Sequence, residues 1–78
     1  MRPEELIEYI LRVLLSQPDD IVITRTVDEL GVLLSISVNK LDLPIIIGKE
    51  GEMARALRTI ARSMGYKHRE KTSIKITT

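Results

Sequence analysis

The spacing of the apolar side chains changes repeatedly along this chain, and that rhythm confines it to a short succession of helices and strands. Leu6, Ile7, Ile10, Val13 and Leu14 recur at helical intervals. Pro3 suits a first helical turn, Glu4 and Glu5 favour its positive end, and Pro18 stops the helix. From Ile21 the period falls to two, with Ile21, Ile23 and Val27 opposite Val22, Thr24 and Thr26, β-branched residues suited to a pleated sheet. This strand runs to about Asp28. Asp28-Glu29-Leu30-Gly31 supplies turn residues, and Val32, Leu34, Ile36 and Val38 then alternate with Leu33, Ser35 and Ser37, which predicts a hairpin.

Beyond the hairpin, Asp42 is placed to cap a short helix with Pro44 in its first turn, Ile45, Ile46 and Ile47 after it, and Gly48 at its end. Periodicity alone also allows a buried strand over 43–47, although Pro44 argues against one. Residues 52–64 put Met53, Leu57, Ile60, Ala61 and Met64 on one helical face and Arg55, Arg58 and Arg62 on the other, with Gly65 at the C-cap. A polar loop over 66–71 leads to the alternating Ser73-Ile74-Lys75-Ile76, read as a closing strand. The prediction is an α+β unit in the order α-β-β-α-α-β.

A chain of 78 residues with no repeat or linker is expected to form a single domain over 1–78, and 44% hydrophobic residues suffice for one core. With no cysteine there is no disulfide framework or thiolate metal site, which suits a reducing compartment. Arg2, Glu4, Glu5 and Glu8 depart from the basic-then-apolar plan of a secretory signal, and no apolar run is long enough to cross a bilayer. A cytoplasmic protein without membrane contact is expected.

The net charge of +1 conceals an asymmetry. Residues 1–44 carry four Lys/Arg against eight Asp/Glu, a balance of −4, whereas residues 45–78 carry eight against three, a balance of +5. The second half therefore offers a basic surface.

Within that half, Gly48-Lys49-Glu50-Gly51 joins a short apolar helix to a longer amphipathic one. Amides at the start of the second helix lack intrahelical acceptors, and partial positive charge collects there. Glycine at both ends of the turn admits a sugar-phosphate strand without a Cβ in its way, and Lys49 adds a mobile cation. The ligand implied is a phosphodiester backbone. A nucleotide-binding P-loop is excluded, because Leu43 and Glu50 stand where that motif requires glycine and Ser or Thr.

The run from Ile46-Ile47-Gly48-Lys49-Glu50-Gly51 through Glu52-Met53-Ala54-Arg55-Ala56-Leu57 resembles the core signature of KH domains, in which an apolar pair precedes Gly-x-x-Gly. The element order resembles the type II arrangement, and the likeness to the small stand-alone bacterial KH-domain RNA-binding proteins (the KH-domain protein A family) covers nearly the whole chain. It implies a three-stranded mixed sheet with helices packed on one face. It also implies a groove in which Gly48, Lys49, Glu50 and Gly51 clamp about four nucleotides of single-stranded RNA. By the same likeness Ile46 and Ile47 would line its apolar floor, Arg55 and Arg58 its helical side, and a neighbouring strand would offer backbone groups to base edges. The partners implied are RNA and a second KH-domain protein or a second copy; no cofactor or metal is implied.

An enzyme would need a nucleophile with its base or a metal cluster, and one histidine with scattered carboxylates supplies neither. His68 lies in a polar stretch and reads as a solvated loop residue. Tyr9 and Tyr66 are the only aromatics, too few for a platform that stacks successive bases, though a backbone clamp does not need one. Glu52 reads as a first-turn carboxylate that favours the helix dipole. The second reading is a KH-fold protein-interaction module with weak or no RNA binding, favoured by the acids Glu50 and Glu52.

Overall fold

The computed structural model describes residues 1–78. Helix α1 (Pro3–Leu14) leads into a hairpin of β1 (Val22–Asp28) and β2 (Gly31–Ser37). The short helix α2 (Leu43–Ile47), the long helix α3 (Glu52–Lys67) and strand β3 (Thr72–Thr77) complete the chain. The order is α-β-β-α-α-β, as expected for a type II KH domain, and the segment 43–47 is helical rather than extended. No helix is long and apolar enough to cross a membrane.

β2 is the central strand, antiparallel to β1 and parallel to β3, so the three-stranded sheet is mixed. Its alternation is obeyed closely: Val32, Leu34, Ile36 and Val38 are buried, while the intervening Leu33, Ser35 and Ser37 are only partly covered. Ile7, Leu11 and Leu15 from α1 and its end, Leu57 and Ala61 from α3, Ile46 from α2 and Ile74 from β3 join them in one cluster. The helices thus cover one face of the sheet.

β1 departs from the expected alternation. Ile21 is buried and Ile23 partly so, but Val27 is exposed, because the helical cover of this edge strand stops short of it. Between them Arg25 shares the inner face with its neighbour Leu34 and closes the rim with ion pairs, 2.6 Å from Nη2 to Glu70 and 3.9 Å from Nε to Glu4. An inward charge of this kind also protects a sheet edge from unwanted pairing.

The end of α3 differs as well. The expected C-cap, Gly65, lies inside the helix, which continues to Lys67. His68 is the cap residue, and Arg69 takes the left-handed conformation (φ 58°) usually given to glycine. The Glu70 amide donates to the Gly65 carbonyl at 2.8 Å and the Arg69 amide to the Tyr66 carbonyl at 3.1 Å, the paired bonds of a Schellman turn. Gly65 serves close approach instead: a Cβ there would come within 3.0 Å of the Thr72 Cβ on β3. The predicted loop over 66–71 is correspondingly shorter.

Candidate nucleic-acid interface

The site begins with a buried carboxylate. Asp42 precedes α2 but makes no capping bond to it. Its side chain has no accessible surface and turns to the end of α1, where Oδ1 accepts from the Ser16 amide (2.9 Å) and hydroxyl (2.6 Å) and Oδ2 from the Gln17 amide (2.9 Å). These donors have been freed by the end of α1 and need acceptors once covered. Asp42 therefore fixes the start of α2 to α1, correcting the expectation of a helix cap. No sequence pattern links positions this far apart.

With α2 anchored, helical geometry decides what its three isoleucines do, since successive side chains diverge by about 100° and only one of three can point inward. Ile46 is the one, with no accessible surface. It supports the turn from beneath, so of the two isoleucines expected at the groove floor it is the one enclosed in the core. Ile47 is 37% exposed and Ile45 similarly open, so these two carry the apolar surface of α2.

The Gly48 amide ends α2 on the Pro44 carbonyl at 2.9 Å, and Lys49–Gly51 then form one tight turn. Gly48 (φ 79°) is required twice over, because a Cβ there would also stand 2.7 Å from the Met53 amide nitrogen. Glu50 (φ 55°) and Gly51 (φ 76°) are left-handed, and the Gly51 amide closes the turn on the Gly48 carbonyl at 3.1 Å. Glu50 pays a conformational cost that a non-glycine residue sustains only with support. The support comes from Arg55, whose Nη1 donates to the Glu50 carbonyl at 2.6 Å. Lys49 and Glu50 project into solvent, and no side chain caps the first amides of α3.

Four consecutive residues thus make an exposed, braced turn at the positive end of a 16-residue helix, with Lys49 beside it. Arg55 and Arg58 are exposed on α3, as the sequence placed them; the bracing role of Arg55 was not visible there. The turn stands on open surface. A cleft of about 290 Å³ lies elsewhere, lined by Arg2, Glu4, Arg25, His68, Glu70 and Thr72 among others. A flexible strand gripped by its backbone requires no enclosed pocket at the turn. No group of three or more His, Cys, Asp or Glu is placed to hold a metal.

A family model described as "KhpA/KhpB, KH domain" matches residues 4–76. The RNA-binding protein KhpA of Listeria monocytogenes is 37% identical over 73 residues, covering 94% of this chain and 96% of that protein. The protein of the same name from Bacillus subtilis is 36% identical over 73 residues, covering 94% and 90%. That from Clostridium perfringens is 30% identical over the same length, covering 94% and 97%. No solved structure gives a significant match. With an α-β-β-α-α-β fold, a Gly-x-x-Gly turn between its last two helices and a match running almost end to end, the chain belongs to the KhpA/KhpB family of KH domains, a family of RNA-binding proteins rather than enzymes.

Proposed function

We propose that this chain binds single-stranded RNA and that Gly48, Lys49, Glu50 and Gly51 clamp the sugar-phosphate backbone of about four nucleotides. The observation that carries the reading is the exposed, positive-φ turn opening directly onto the uncapped start of α3, where main-chain amides and Lys49 favour an anion. Arg58 and the free edge of the Arg55 guanidinium would neutralise further phosphates. Ile47 would give a base an apolar surface, and Ile46 is left out because it is enclosed. The relatives named RNA-binding proteins support RNA as the class of polymer. The reading places the protein in the cytoplasm, with a second KH-domain protein or a second copy as its protein partner; the pairing of two names in the family description supports the former.

The test is the double variant Lys49→Asp with Glu50→Asp. Both side chains are exposed, and Asp tolerates the left-handed conformation at position 50, so the fold should persist. Affinity for a short single-stranded RNA should fall several-fold or more; undiminished binding would refute the clamp.

A second reading has one observation in its favour. Leu41, Ile45 and Ile47 are exposed apolar side chains around α2, a composition that suits a protein partner. In an NMR titration with short RNA, the clamp predicts that amides of residues 48–54 move first. Shifts confined to the opposite side of the molecule would favour the protein-interaction module.

A further inference from the structure

The arginines of this chain fall into two groups. All three that precede the Gly48 turn, Arg2, Arg12 and Arg25, make ion pairs with glutamates. None of the four that follow it, Arg55, Arg58, Arg62 and Arg69, does so. Between Glu52 and Glu70 the sequence has no acidic residue at all, and Glu70 is itself neutralised by Arg25. With Glu50 and Glu52 confined to the turn and the start of α3, the unpaired guanidiniums beyond them keep their attraction for a polyanion.

Their placement is ordered. Arg55, Arg62 and Tyr66 stand at i, i+7 and i+11 on α3, within about 40° of one another around the helix axis, with Arg58 alongside. All four are exposed; Arg55, Arg62 and Tyr66 are turned away from the buried residues Ala54, Leu57, Ala61 and Gly65, and Arg58 borders them. From Arg55 to Tyr66 the row extends about 16 Å along the helix. It begins at the turn itself, since Arg55 is bonded to the Glu50 carbonyl. At its far end Tyr66 is 70% exposed, which leaves its ring open to stack a base.

We infer that the outer face of α3 is a second RNA subsite continuous with the turn, in which Arg58 and Arg62 hold successive phosphates and Tyr66 stacks an unpaired base. This rests on the RNA-binding reading above and extends the footprint beyond the clamped nucleotides. A single strand combines a charged spine for the guanidiniums with splayed bases for the ring, and the RNA-binding reading above makes that strand RNA. A duplex keeps its base faces stacked and offers Tyr66 nothing.

The test compares RNAs of about four and about twelve nucleotides. Chain length separates the two subsites. Tyr66→Ala should weaken the longer RNA about 5- to 100-fold and leave the shorter unchanged, while Tyr66→Phe keeps the affinity of the parent. Arg62→Ala should reduce the log-log salt slope for the longer RNA by about 0.7 and leave that for the shorter unaltered. With no tryptophan and only one other tyrosine, a Tyr9→Phe background leaves Tyr66 as the sole source of tyrosine fluorescence. Its emission should be quenched by the longer RNA only. If the longer RNA binds Tyr66→Ala as tightly as the parent, or leaves the fluorescence untouched, the subsite is refuted while the clamp stands. If neither RNA binds the parent protein, both readings fall.

Discussion

Asp42 and Ser16, 26 positions apart in the sequence, are joined twice through one carboxylate oxygen, which accepts both the hydroxyl and the amide of the serine. This junction sets the position of α2 and thereby of the turn that follows it. The hydroxyl bond is the leading cause that holds the Asp42 carboxyl below its ordinary 3.8; burial opposes the lowering, and the amides of Ser16 and Gln17 add to it.

The sign of the pH effect follows. A carboxyl whose pKa is lowered by folding adds stability that is complete above its unfolded value and is lost as pH falls through the folded one. Asp42→Asn should therefore lower the melting temperature at neutral pH and flatten the loss of stability in the acid range below 3.8. Asp19→Asn, at an exposed site, should leave the melting temperature at neutral pH unchanged. Thermal unfolding across that range checks both.

Gly65→Ala should destabilise the protein although it sits inside a helix. The usual gain from alanine in a helix is about 1 kcal/mol. Here the new Cβ would stand 2.5 Å from the Glu70 carbonyl oxygen and 3.0 Å from the Thr72 Cβ, a backbone and strand contact that cannot yield cheaply. A net loss of about 1–3 kcal/mol is expected in chemical denaturation, and a net gain would show that β3 can move away.

Two adjacent isoleucines should behave oppositely. Ile46→Ala removes a side chain with no accessible surface and should cost about 2–5 kcal/mol. Ile47→Ala, at a partly exposed position, should cost at most about 1 kcal/mol while weakening RNA binding. Denaturation curves paired with RNA titrations separate the two effects.

Binding of a short RNA should weaken with salt. Two or three phosphates neutralised on a single strand correspond to a log-log slope of about −1.4 to −2.1. Affinity measured from low to moderate salt gives the slope directly. A slope near zero would leave the cations around the turn without a part in recognition.

Most of the secondary structure and the turn that forms the candidate site could be read from residue order, because each depends on neighbours within a turn or two. The helical recurrence from Leu6 to Leu14, the alternation from Val32 to Val38 and the glycines around Lys49 are local signals, and each element formed where its signal lay. Glycine at position 65 misled for the same reason: locally it looks like a helix end, whereas its cause is a strand that arrives later in the chain.

The amino-acid order by itself determined the α-β-β-α-α-β succession, the basic second half and the turn of Gly48 and Gly51, since backbone preference and hydrophobic period act over short range. Only the tertiary structure decided that Asp42 bonds to Ser16, that Ile46 rather than Ile47 is enclosed, and that Arg55 holds the Glu50 carbonyl. Those outcomes depend on how the helices come to rest on the sheet. A side chain's partner is fixed by packing, which the linear sequence constrains only through the whole molecule at once.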